Sequence, residues 1–139
     1  YGLCPILDLV GINAASGALC IVEIKCGSST NDTRSDISML SPFDDMPCCG
    51  RTLSLLQLAV QYVCLKHRLE VCFGAHGSAD QLPERMRTLH ASNSCVLVYN
   101  TFTSKTGTGR CRGEYHITMI PLTCKLAGMV QETLVSRGM

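Results

Sequence analysis

Three ionisable side chains stand inside apolar runs near the start of the chain, and their types suit metal-assisted hydrolysis. In Pro5-Ile-Leu-Asp8-Leu-Val-Gly-Ile-Asn-Ala-Ala-Ser-Gly-Ala-Leu-Cys-Ile-Val-Glu23-Ile-Lys25, two apolar strands flank a turn over Asn13–Gly17, rich in residues that tolerate bends. Side chains alternate along a strand, so Glu23 and Lys25 share a face. A hairpin centred between Ala15 and Ser16 sets Asp8 opposite Glu23 and Ile6 opposite Lys25, and cross-strand partners share a face too. Two carboxylates and an ammonium then crowd one spot among Ile, Leu and Val. Neighbouring buried carboxylates repel unless a cation lies between them, and a lone buried ion is strongly disfavoured. A hard divalent ion removes the repulsion, and Mg²⁺ is commonly held by one or two carboxylates together with substrate phosphates. The plain alternative is an Asp at an exposed strand end beside a half-solvated Glu–Lys pair, because Glu-x-Lys alone is a very short motif. The matched Asp and the apolar runs on both sides favour the site.

The elements that must position these groups follow from periodicity. Gly2–Val10 and Ala18–Cys26 are apolar on both faces, as central strands covered on each side by helices are. Arg51–Leu69 is a helix without Pro or internal Gly, with Leu53, Leu56, Val60 and Val63 as its apolar stripe. Gln57 and Gln61 lie four apart on one face of it, an uncharged polar pair on an otherwise apolar helix. A buried amide must find partners, so Gln57 is expected to bond Lys25 or a phosphate, or to tie helix to sheet. Glu70–Ala75 reads as a third strand, Ser94–Thr101 as a fourth, Tyr115–Pro121 as a fifth, and Lys125–Val135 as a closing amphipathic helix. This order predicts an α/β fold of the mixed α+β kind: a central four- to five-stranded mixed sheet flanked by helices.

The connections carry further candidates. Gly27–Cys49 is polar and too long for an ordinary link, which marks it as functional or mobile; Asp36, Asp44 and Asp45 there are spare acids. The loop Thr103–Gly113 brings Lys105, Arg110 and Arg112 together, three cations able to grip a nucleic-acid strand, with Gln61 as a further contact. Gly107-Thr-Gly109 within it is not a phosphate-binding P-loop, since no Lys-Ser/Thr follows the last Gly.

Composition narrows the class. The chain has 139 residues, 46% of them apolar, with a mean hydropathy of +0.19, so it can bury a core of one domain. A net charge of +1 makes any phosphate-binding surface local, not global. No apolar run is long enough to span a bilayer, so no membrane partner is expected. Ten cysteines without any Cys-x₂-Cys spacing argue against a zinc knuckle and for free thiols in a reducing, intracellular compartment.

An Asp closing one strand and a Glu-x-Lys in the next resemble the PD-(D/E)XK nuclease superfamily. Pro5-Ile-Leu-Asp8 stands for the Pro-Asp half with two residues inserted, and Glu23-Ile24-Lys25 matches the other half unchanged. The nearest likeness is to the RecB-like branch, with its mitochondrial genome maintenance exonuclease-like members, where a helix bearing a Gln follows the Lys. Leu55-Leu-Gln57-Leu-Ala-Val-Gln61-Tyr62 supplies that helix; Gln57 matches, while the family's Tyr comes one position late and Gln61 holds its place. The resemblance spans residues 3–101 and implies a restriction-endonuclease-like core. It implies Mg²⁺ or Mn²⁺ held by Asp8, Glu23 and the Ile24 carbonyl, Lys25 acting on the attacking water or the phosphate, and Gln57 orienting Lys25. The activity implied is hydrolysis of phosphodiester bonds, with DNA expected over RNA and exonucleolytic cutting expected. The family's first helix, which often adds an acidic ligand, has no counterpart ahead of the first strand. Residues 1–139 are therefore expected to be one nuclease-like domain, N-terminally incomplete and part of a longer chain.

Two other readings stand beside this one. A nuclease fold without activity would serve as a structural or RNA-contacting module among other subunits of a ribonucleoprotein assembly. A cysteine enzyme would pair Cys48 or Cys49 with His67, His76, His90 or His116, yet no spacing links them. For the nuclease, Lys25→Ala is expected to remove turnover and spare the fold.

Overall fold

The turn after Asn13 sets the first strand pairing. Its side-chain oxygen accepts the Ala15 N–H at 2.9 Å, the local bond by which Asn favours a tight bend. The computed structural model describes residues 6–15, 19–26, 35–74, 95–105 and 112–138. In chain order they form β1 (Leu9–Ile12), β2 (Leu19–Cys26), α1 (Gly50–Gly74), β3 (Cys95–Lys105), β4 (Arg112–Pro121) and α2 (Cys124–Ser136). Across the first hairpin Leu9 pairs with Val22 and Val10 with Ile21, the register expected from a centre between Ala15 and Ser16.

The sheet has four strands in the order β1-β2-β3-β4. The outer pairs are antiparallel, while β2 and β3 run parallel, with Glu23 beside Leu97 and Lys25 beside Tyr99. Parallel neighbours need a crossover, and α1 lies within it. The fold is thus α+β, a mixed sheet with two helices. A fifth strand is not present among the described residues. The stretch expected as a strand from Glu70 belongs to α1, which continues to Gly74. Nothing between Leu69 and Gly74 breaks a helix, and extending a formed helix is easier than starting a new element, whatever the β-propensity of Val71 and its neighbours.

Both helices bury one face of the sheet. Ile21, Leu58, Ala59, Tyr62, Val63, Cys95, Leu97, Leu122, Leu126, Ala127 and Val130 form a single core. Thr123 caps α2, its hydroxyl accepting the Leu126 N–H at 3.3 Å and starting the turn that buries Leu126 and Ala127. On the other face Leu9, Ile24 and Met119 are exposed, so among the described residues the expected helical cover on both sides is not found. The alternation of strand side chains gives the reason: Ile21, Glu23 and Lys25 turn to the helices, and Val22 and Ile24 turn away.

Part of the long polar connection is ordered by its own bonds. Met39 N–H donates to the Met46 carbonyl at 2.9 Å and Cys48 N–H to the Ile37 carbonyl at 2.7 Å, and Phe43 and Met46 pack on the core. Asp45, a spare acid in the sequence, pairs at 3.1 Å with Lys125 on the surface, where such a pair adds little stability.

Cys95 is wholly buried, and burial first, then the nearby Cys20, pushes its thiol up to about 12 from an ordinary 9.0. The folded state holds this proton more tightly than the unfolded one, so the associated stability is intact below pH 9.0 and falls as pH rises toward about 12. Alkylation near neutral pH should label the exposed Cys26, Cys48 and Cys124 and reach Cys95 only after unfolding. Mass spectrometry of the labelled protein checks this; rapid labelling of Cys95 in the native chain would contradict it.

Candidate active site

β2 is a central strand, yet its inward row runs Ile21, Glu23, Lys25, which sets a charged pair against α1. Glu23 is only 1% exposed and the Lys25 side chain 21% exposed. A carboxylate so deep needs donors, and both of its oxygens have them. Oε1 accepts from Lys25 Nζ at 2.5 Å and from Gln57 Nε2 at 2.5 Å. Oε2 accepts from Gln61 Nε2 at 2.7 Å. Gln57 closes a ring, because its own Oε1 accepts from Lys25 Nζ at 2.9 Å. The four-residue spacing of Gln57 and Gln61 brings both amides to the same carboxylate from successive turns of α1.

Asp8 sits one residue before β1, and continuing the Leu9–Val22 register brings it abreast of Glu23. Its Oδ2 accepts the Ile24 N–H at 2.9 Å, the bond that a longer β1 would have supplied. In a strand a residue's N–H and carbonyl face the same neighbour, so the Ile24 carbonyl turns to the Asp8 edge as well. Lys25 and Gln57 thus meet on Glu23, and Asp8 lies abreast of Glu23 in the hairpin register, bonded to the Ile24 N–H.

Gln61 is placed differently from its expected part as a nucleic-acid contact. It is 1% exposed, and its amide donates to Glu23 and, at 2.8 Å, to the Ile6 carbonyl. Its position on the inward side of α1 explains this, and the same spacing that picked out the Gln pair could have identified it as a partner of Glu23. Tyr62, the late Tyr of the helix motif, is buried in the core. The described ends of the basic loop stand away from the site along the sheet. Lys105 and Arg112 are paired in register at the far end of the β3–β4 hairpin, eight residues along β3 from Leu97. At the usual strand rise that is roughly 26 Å from the neighbour of Glu23. The side chains of Lys105 and Arg112, and the whole of Arg110, lie outside the described residues.

The arrangement changes the expectation for Lys25→Ala. Lys25 is the cationic partner of an almost fully buried carboxylate, so its removal disturbs folding as well as chemistry. For a cation, a carboxylate offers about four lone-pair positions, and Glu23 has three in use, with one left on Oε2. Asp8 has one oxygen engaged by Ile24 and its second oxygen available among the described residues. No group of three or more His, Cys, Asp or Glu gathers among the described residues, so the two carboxylates are the acidic donors here. That is a sufficient protein share for Mg²⁺, which retains waters and takes phosphate oxygens from substrate. No helix among the described residues is long and apolar enough to cross a membrane. The chain matches no protein-family model, no curated protein and no solved structure.

Proposed function

We propose that this chain is a Mg²⁺- or Mn²⁺-dependent nuclease built on a restriction-endonuclease-like core, hydrolysing phosphodiester bonds of DNA from an end. What carries the reading is the convergence of Lys25 and Gln57 on one oxygen of the buried Glu23, with Asp8 alongside in register. Asp8, Glu23 and the Ile24 carbonyl would hold the cation. Bound there, it supplies a water of lowered pKa and neutralises charge on the phosphate. Lys25 provides a positively charged donor for the attacking water or for a phosphate oxygen, and Gln57 Oε1 fixes where that donor points. The apolar neighbours Ile21 and Leu97 keep bulk water from Glu23, which strengthens each of these interactions.

A second reading is favoured by one observation: three of the lone pairs of Glu23 are already satisfied within the chain. A nuclease fold whose site has become a structural ion pair would bind nucleic acid, or other subunits, without cutting. The two are separated on labelled linear and circular DNA and on RNA, with Mg²⁺, Mn²⁺ or EDTA. The expected result is cutting of linear DNA that needs the metal, stops in EDTA and spares circles. Binding without cutting under every metal condition would replace the first reading by the second.

A further inference from the structure

We infer that Gln61 is a positioning residue that fixes the separation of the two acidic segments, a role that rests on the metal site proposed above. Its Nε2 donates to the Ile6 carbonyl at 2.8 Å and to Glu23 Oε2 at 2.7 Å. Those two acceptors belong to different chain segments: one leads into Asp8, the other is the side chain of the central strand. A single amide nitrogen with two N–H groups thus clamps the approach to β1 against β2. The clamp is needed because β1 begins only at Leu9, so among the described residues no ladder bond secures the Ile6–Asp8 stretch. Beyond Gln61, the one described bond tying Asp8 down is its own carboxylate on the Ile24 N–H.

The orientation of the amide is forced. Turned over, its oxygen would face two acceptors. As it stands, Oε1 is buried and without a partner among the described residues. A buried acceptor left unmatched is unfavourable, and here it is tolerated to keep both N–H groups in use. Tyr in this place would reach with a single hydroxyl donor and could not hold both acceptors at once.

The Ile24 amide is a built-in reporter, since its N–H bond exists only while Asp8 is in place. In Gln61→Met, of similar length and volume, amide exchange at Ile24 is expected to quicken about tenfold or more beyond any change at Val130, in the core of α2. A purely structural role would move both residues together through global stability. Mn²⁺ affinity of the same variant, followed by calorimetry, should weaken by roughly 10- to 100-fold, as for other groups that hold a metal ligand in position. Unchanged exchange at Ile24, parallel changes at Ile24 and Val130, or native Mn²⁺ affinity would each overturn the assignment. If Gln61→Met does not fold, the native chain decides: both Nε2 protons should exchange slowly with solvent, and fast exchange of either refutes the clamp. Failure of the native protein to take up Mn²⁺ would remove the metal site itself, while the Ile24 and Nε2 measurements still judge the clamp.

Discussion

Lys25→Ala is expected to lower folding stability by about 3 kcal/mol and to cut cleavage of DNA by at least about 10²-fold. Both effects come from one atom. Lys25 Nζ is the positive partner of Glu23, which is 1% exposed, and in the proposed reaction it is also the donor to the attacking water or a phosphate oxygen. Breaking a buried ion pair from one side typically costs about 3–5 kcal/mol; the lower end applies because Lys25 is partly exposed and two amides still serve Glu23. The double variant Lys25→Ala/Glu23→Gln separates the two effects. A neutral side chain at position 23 needs no cation, so much of the lost stability should return, while activity stays absent because a metal ligand is gone. Urea denaturation of the four proteins in the cycle gives the coupling. A Lys25→Ala protein as stable as the native one would mean that Glu23 does not depend on its ammonium.

Asp8→Asn has the opposite profile: a large effect on metal and a small one on folding. The Asn oxygen can still accept the Ile24 N–H, so the hydrogen bond that holds this edge is kept. Asp8 is exposed, and substitutions at such positions usually change stability by no more than about 0.5 kcal/mol. The negative charge, however, is gone, and with it one of two acidic donors. Divalent-cation affinity should fall by at least about 100-fold, beyond what loss of a supporting group produces. Cleavage should fall with it, and raising the metal concentration should restore part of the rate.

Much of the site is legible in the sequence because it is local. The Asn13 turn and the alternation on either side of it specify the register of the first hairpin, which sets Asp8 abreast of Glu23. The spacing of Glu23 and Lys25 puts them on one face, and Gln57 does reach Lys25. What the sequence hid depends on packing between distant segments. That Gln61 turns to Glu23 and the Ile6 carbonyl is decided by which side of α1 meets β2, a contact between residues 38 and 55 positions apart. The residues from Glu70 to Gly74 misled for another reason. Val71 and its neighbours favour strands in isolation, but with Leu69 already packed on the core and no breaker after it, the helix simply continues. The exposure of Ile24 was equally hidden, since apolar residues on both sides of β2 do not say whether anything covers the second side.

Calorimetric titration of Mn²⁺ into the native protein and into Asp8→Asn puts the shared cation to the most direct test. Saturable uptake by the native chain, lost in Asp8→Asn while its urea midpoint stays put, is the predicted result. Equal uptake by both proteins, or none by the native one, would contradict a cation held jointly by Asp8 and Glu23.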